Sequence, residues 1–278
     1  MFHLARSLGY YDGVAIEIVD YQTPAEAIRA YQNDVIDAVA MTTHFLLQVA
    51  GRESGHRAVL VIDESMGGDA LVARPGIASL ADLRGRAIGV EMSVLGEVVL
   101  ARALTAANLQ PGDVRVVSVD LPDQVAAFAA GQIDAAITYE PFKTQLEALG
   151  GRVLFASDAM PGEITDVLFT RERSIRSHRA TLQALVDGFF RAVDYLQQHP
   201  DDAGSRCAAR EGVTRQAFRA SLAGTTLVGR DENRDLLAGR HPGLVARLRS
   251  SHTLLRRLGH VPGHVAVEDL VDGRLVAP

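Results

Sequence analysis

Tyr31-Gln32-Asn33-Asp34-Val35-Ile36-Asp37-Ala38 returns 97 residues later as Phe128-Ala129-Ala130-Gly131-Gln132-Ile133-Asp134-Ala135. Each octet joins the end of an amphipathic segment, through a polar turn, to a short apolar run of the kind that forms a buried strand. Pro24 and Pro122 stand at similar places upstream. Two similar α/β halves on one chain imply two lobes with a cleft between them. Chance similarity in an alanine-rich sequence is the alternative.

Working outward, Val14–Val19 reads as a strand, Thr23–Tyr31 as a helix, and Val35–Ala40 as a strand ending at Met41-Thr42-Thr43. An apolar helix over Phe45–Ala50 leads to a strand at Ala58–Ile62, a polar turn at Asp63–Asp69 and a strand at Ala70–Ala73. Ser79-Leu80-Ala81-Asp82 has the spacing of a capping box. Strands at Arg86–Val90, Val114–Val119 and Gln132–Thr138 then alternate with helices marked by Leu95, Val99 and Ala103, and by Gln124–Ala130. Short apolar strands alternating with helices predict a mostly parallel sheet. Val167–Thr170 reads as a strand returning the chain to its first lobe. The rest is helical, beginning with the 3.6-residue period of Leu182, Leu185, Val186, Phe189, Phe190, Val193 and Leu196 and continuing at about Asp202–Arg210, Arg215–Ala223 and Leu244–Leu258. With crossings at Arg74–Ser79 and Ile164–Phe169, residues 1–76 plus 167–278 form one lobe and 77–166 the other.

The chain has 278 residues, ample for a sizeable core. A net charge of −6 disfavours a nucleic-acid partner. No apolar run approaches the roughly 18–20 residues that span a bilayer. Cys207 is the only cysteine, so an intramolecular disulfide or cysteine-rich metal site cannot form. His260 and His264 are four apart, but Pro262 disfavours the helix that would aim both at one metal. No nucleophile elbow, Walker loop or dinucleotide fingerprint is present. No metal and no cofactor are expected.

The order of segments resembles the nitrate/sulfonate/taurine-type periplasmic binding proteins, grouped with thiamine-precursor binding proteins. The carrying stretches are Phe2–Tyr11, Asp63–Arg74, Ser79–Gly85, Gly131–Ala136 running into Tyr139-Glu140-Pro141, Asp166-Val167-Leu168, and Ala223–Asn233. The resemblance implies a type II periplasmic-binding-protein fold, two α/β lobes joined by two crossing strands with a helical C-terminal segment. It implies capture of a small-molecule solute by hinge closure outside the cytoplasmic membrane, and delivery to an ABC permease with its ATPase. A monomer is expected. Family members carry a signal segment and a first β-strand ahead of the position of Met1. Met1–Arg6 has no charged leader or apolar h-region, so both are expected to be absent here.

In open α/β sheets ligands bind beyond the carboxyl ends of the strands. That rule selects Thr42, Thr43, Ser65, Ser93, Tyr139, Glu140 and Asp166. Hydroxyls can donate or accept, which suits a solute stripped of water. Each threonine also reads as a turn or cap. Ser93 opens a helix whose free N–H groups favour an anion, and also reads as an ordinary N-cap. The carboxylates Asp63, Glu64, Asp69, Glu91, Glu140 and Asp166 pull towards a zwitterionic aminosulfonate or a cationic or amide-rich nitrogen compound, and each also reads as solvated, capping or paired with arginine, which leaves the solute open. Two rival classes remain open. One is a lyase-type enzyme using a base such as Glu140; the other is an effector-sensing protein.

Overall fold

The two octets become the same device twice, a helix feeding a short strand, fully buried in the second copy and only partly buried in the first. In the computed structural model, which describes residues 1–277, the chain divides into two units. Unit 1 opens with α1 (Phe2–Ser7), α2 (Pro24–Gln32), β1 (Ala38–Thr42), α3 (Thr43–Ala50) and β2 (His56–Ser65). Unit 2 follows as β3 (Ala70–Ala73), β4 (Ala87–Val90), α4 (Val94–Ala106), β5 (Arg115–Ser118), α5 (Leu121–Ala129), β6 (Ala135–Thr138), α6 (Phe142–Ala148) and β7 (Arg152–Ala156). The chain returns to unit 1 through β8 (Thr165–Arg171), α7 (Glu172–Ser177), α8 (Arg179–Gln198), α9 (Pro200–Glu211) and α10 (Arg215–Ala223). It ends with β9 (Thr225–Leu227), α11 (Arg230–Leu237) and α12 (Gly243–Arg257).

The first boundary falls between Glu64 and Ser65, earlier than the Arg74-Pro75-Gly76 break. The reason is β3, which pairs with β6 and β7 and so commits the preceding residues to unit 2. The second falls between Ile164 and Thr165, and Ala223–Thr226 also groups with unit 2. Neither sheet is mostly parallel. Unit 1 has the order β1-β8-β2-β9, with β8 antiparallel to β1 and β2. Unit 2 has the order β5-β4-β6-β3-β7, parallel from β5 to β6 and antiparallel around β3. Each antiparallel strand begins just after the chain has changed units.

The repeat extends well beyond the octets. β1-β8-β2 in unit 1 corresponds to β6-β3-β7 in unit 2. At the 97-residue spacing Ala38 matches Ala135, the first residues of β1 and β6, and Thr170 matches Ala73, their respective cross-strand partners. Tyr31 and Phe128 anchor the two helices in the cores, 0% and 2% exposed. An arginine closes each helix end. Arg171 donates to the Tyr31 carbonyl at 2.7 Å and lies over its ring, and Arg74 donates to the Phe128 carbonyl at 2.5 Å and lies over that ring. The last carbonyls of a helix lack intrahelical donors, and a guanidinium donates to them while favouring the negative end of the dipole.

Unit 2 is a three-layer packing. Along β3, Leu71 and Ala73 face a core with Val99, Ala103 and Leu104 of α4, while Ala70 and Val72 face one with Phe128 of α5 and Leu146 of α6. Alternation with both faces buried is what a continuous apolar strand requires. Ser79 and Asp82 form the expected capping box, the Ser79 N–H donating to the Asp82 carboxylate at 2.9 Å.

Two local expectations fail. Val14–Val19 pairs with no strand among the described residues; Ile16 and Ile18 instead pack beside α1 and α8 as extended coil. The stretch Asp63–Ser65 is not a turn but the end of β2, because it pairs with Thr165 and Asp166 of β8.

Candidate functional site

Unit 1 ends its central strands in a polar row. Thr42 closes β1, pairs with Asp166 at the start of β8, and Asp166 pairs in turn with Asp63 of β2. Residues directly opposite in an antiparallel ladder put their side chains on one face about 4.5–5.5 Å apart. The Thr42 backbone is the N-cap of α3, yet its side chain makes no capping hydrogen bond. The residue is 7% exposed, and its Oγ1 is buried without a hydrogen-bond partner. Thr43, the first residue of α3, is buried beside it. Glu64 is already engaged, since Arg247 of α12 holds its carboxylate.

Unit 2 presents the carboxyl ends of β4 and β6, which are adjacent parallel strands. β6 ends at Thr138, 1% exposed, whose Oγ1 is likewise buried and unpartnered. Tyr139 and Glu140 follow, half-buried, and the Glu140–Pro141 peptide is cis. Glu140 accepts from the Thr144 N–H and hydroxyl, the latter at 2.8 Å, and lies 3.8 Å from the Lys143 ammonium. Beyond β4, Ser93 is the N-cap of α4, its Oγ accepting from the Gly96 N–H at 3.2 Å. Gly96 is required there, because a Cβ would fall 2.4 Å from the Glu91 carbonyl. Burial raises the Glu91 carboxyl above its ordinary value, with Asp120 adding to the shift and the Ser93 hydroxyl opposing it.

Ser65 belongs to a different arrangement, at the start of unit 2. Its Oγ shares a 2.8 Å hydrogen bond with Ser157 Oγ and accepts from the Asp69 N–H. Ser157 Oγ also accepts from the Gly67 N–H at 2.7 Å, and Lys143 donates to the Gly67 carbonyl at 2.8 Å. Burial pushes the Asp69 carboxyl up, while the Ser65 side chain and the Lys143 charge pull it down. This network shapes the turn into β3 and leaves Ser65 occupied.

The structure therefore brings Thr42, Thr43 and Asp166 together in unit 1, and sets Ser93, Tyr139 and Glu140 at neighbouring strand ends in unit 2. Sequence reasoning passed over Thr138, which sits inside the apolar run it was read with. It placed Asp69 in a polar turn, although Asp69 occupies the repeat position of Asp166. Among the described residues no group of three or more His, Cys, Asp or Glu could hold a metal ion, and no helix is long and apolar enough to cross a membrane. His264 lies against the ring of His252, centroids 6.4 Å apart.

Comparison with known proteins bears on this geometry. The family model described as NMT1/THI5 like matches residues 1–203. A binding protein of Brucella abortus (strain 2308) is 30% identical over 154 residues, covering 54% of this chain and 48% of the relative. The taurine-binding periplasmic protein of Escherichia coli (strain K12) is 23% identical over 192 residues, covering 68% of this chain and 60% of that protein. The chain thus spans about half the length of the first curated relative it matches. Among solved structures, the periplasmic aliphatic sulphonate binding protein SsuA from Escherichia coli superposes with a TM-score of 0.81 at 17% identity, over 96% of this chain and 87% of that one. A desulfurization enzyme, DSZB, superposes with a TM-score of 0.75 at 20% identity, over 99% and 94%. At such identities the likeness carries the fold, which is the type II periplasmic-binding-protein fold expected from the sequence.

Proposed function

We infer the function from one premise: the chain belongs to the NMT1/THI5-like family. On that premise the protein is the solute-binding subunit of an ABC importer. It takes up a small polar solute, sulfonate-like, taurine-like or nitrogen-containing, outside the cytoplasmic membrane, and passes it to a permease with its ATPase. The chemistry is capture without bond making. The taurine-binding and sulphonate-binding proteins among its relatives support this reading.

One observation of the molecule carries it. Each unit buries a threonine hydroxyl without a partner at the carboxyl end of its repeated strand, Thr42 on β1 and Thr138 on β6. A buried hydroxyl left unsatisfied costs about 1–3 kcal/mol. A solute that satisfies such groups recovers that cost on binding, and one that lacks the matching polar atom is rejected. Thr43, Ser93, Tyr139, Glu140 and Asp166 are the further polar groups assigned to recognition, while Ser65 supports the turn beside them.

A catalytic reading has the likeness to the desulfurization enzyme in its favour. Against it, the single cysteine of this chain lies on α9, where burial raises the thiol above its ordinary value and disfavours the nucleophilic thiolate. The test is a thermal-shift screen of the purified chain against sulfonates, nitrate, amino acids, ureas, amines and pyrimidines. A solute at about 100 times its Kd adds roughly 2.7 kcal/mol. Thr42→Val and Thr138→Val should each reduce that response, and mass spectrometry should recover the solute unchanged. Chemical conversion of the solute, or no stabilisation by any compound, refutes the assignment. The expected hinge closure is read by small-angle scattering: an unchanged radius of gyration at saturating solute refutes it.

A further inference from the structure

Unit 2 contains a switch point of its own. Its strand order is β5-β4-β6-β3-β7. The chain leaves β4 through α4 to reach β5 on one side, then passes through α5 to reach β6 on the other. The two helices lie on opposite faces of the sheet, α4 with Leu71 and Ala73, α5 with Ala70 and Val72. The register of β4 with β6 ends at Gly89–Ala136, one residue before the end of β4 and two before the end of β6. Diverging connections beside parting strand ends make a crevice, the place where open α/β sheets take their ligands. Gln124, the fourth residue of α5, reaches this point. It is 0% exposed, on the buried face of the helix with Leu121 and Phe128. Its Nε2 donates to the Ile137 carbonyl at 2.9 Å, the first residue of β6 beyond the register with β4.

That bond fixes the amide, because a carbonyl takes only a donor, and it leaves Oε1 as the free end. Oε1 is buried and has no hydrogen-bond partner. Thr138 follows Ile137, and its side chain lies on the same face of β6 as Ala136, the face that packs on α5. Its Oγ1 is buried and equally without a partner. An amide oxygen can only accept, so what satisfies it is a donor. We propose that Gln124 determines specificity, its Oε1 receiving, together with the Thr138 hydroxyl, an N–H or O–H group of the solute. Both oxygens are covered, so the donor is taken up as the ends of β4 and β6 move apart around it. A solute with an ammonium, amide or alcohol group is accepted, and nitrate or a simple alkanesulfonate, which offers no donor, is rejected. This rests on the solute-capture reading given above and narrows it to donor-bearing solutes.

The test uses matched pairs on the purified full chain at neutral pH, with binding read by thermal shift and by calorimetry. Taurine and isethionate are each set against ethanesulfonate, and urea against acetone. In any pair that binds, the donor-bearing member should bind about tenfold tighter or more. Gln124→Met keeps an unbranched side chain of similar length and removes the carboxamide. It should lower that ratio by about fivefold or more while the affinity for the donor-free member stays within about twofold. A purely structural amide would lower stability and leave the ratio where it was. Thr138→Val leaves the Gln124–Ile137 bond in place and should lower the ratio by a smaller factor, about threefold. It decides the matter alone if Gln124→Met gives no cooperative melt. Equal binding of both members in the parent overturns the proposal and leaves solute capture standing. So does an unchanged ratio in the folded variant, the result expected if a buried water satisfies both oxygens. No response to any compound in the pairs or in the wider screen overturns both.

Discussion

Replacing Asn233 should destabilise unit 1 far more than its position on a short helix near the C-terminus suggests. β2 lies between β8 and β9, but β9 is only three residues long. Beyond it the side chain of Asn233, on α11, continues the ladder. Its Oδ1 accepts from the Val61 N–H at 2.7 Å, and its Nδ2 donates to the Val61 carbonyl at 2.8 Å. The same Nδ2 also reaches the Val228 and Gly229 carbonyls at 3.3 and 3.2 Å. The amide thus stands in for a strand peptide, and the residue is 0% exposed. Asn233→Ala leaves two backbone groups of β2 buried and unsatisfied, each costing about 1–3 kcal/mol, so the expected loss is about 2–6 kcal/mol. Asn233→Asp keeps the acceptor, points a carboxylate oxygen at the Val61 carbonyl and buries a charge, so it should fare no better. Glu232→Ala, next in sequence and exposed, is the control and should lie within about 0.5 kcal/mol of the parent. Urea unfolding followed by far-UV circular dichroism measures all three. A loss below about 1 kcal/mol for Asn233→Ala would refute the ladder role.

Two further outcomes test other parts of unit 1. A Cβ on Gly188 of α8 would fall 2.2 Å from Cε1 of Tyr11, whose hydroxyl donates to the Leu185 carbonyl. Gly188→Ala should therefore cost about 1–3 kcal/mol by overpacking, against a helix-propensity gain of about 1. Adding Tyr11→Leu should recover part of the loss in a double-mutant cycle, and simple additivity would show that the contact does not matter. His56, 1% exposed and hydrogen-bonded to the Tyr31 hydroxyl at 2.9 Å, is held below the ordinary imidazole value by burial and by the Arg171 charge. The unfolded chain takes up this proton near pH 6.5 and the folded chain only at lower pH, so the contribution is full above 6.5 and lost as pH falls below it. Between pH 7 and 5 the parent should lose stability more steeply than His56→Gln, by at most about 1.4 kcal/mol per pH unit, and parallel profiles would contradict this.

The sequence reading succeeded where a pattern repeats and failed where a partner decides. Helix α2 and strand β1 were legible because the turn and apolar run recur 97 residues later, and Arg215–Ala223 because its amphipathic period is complete. Strand direction was not legible. Ala70–Ala73 is four apolar residues that read the same in either orientation, and only pairing with β6 and β7 makes β3 antiparallel. Val14–Val19 failed for the same reason, since alternation describes a strand but supplies no neighbour for it. The rule of strand carboxyl ends selected Thr42 at the end of β1 but passed over Thr138 at the end of β6, whose hydroxyl follows a run of apolar residues and reads as part of it.

The 97-residue spacing relates more of the two units than the octets alone. Shifting Asp166 by the same spacing lands on Asp69, and shifting Arg171 lands on Arg74, the two helix-closing guanidiniums. What repeats without change is structural: the aromatic anchor, the arginine on its carbonyl and the register of the paired strands. What differs is the charge at the strand ends. Lys143 answers Leu46, and Thr42 answers Tyr139. Positions that hold the backbone must match in both halves, because the same helix end and the same ladder have to be satisfied twice. Positions whose side chains hold no backbone group have no such obligation. The places where the halves depart from one another are therefore free of that backbone obligation, and Leu46→Lys, which buries a charge at an apolar position that is 0% exposed, should destabilise unit 1 in urea unfolding.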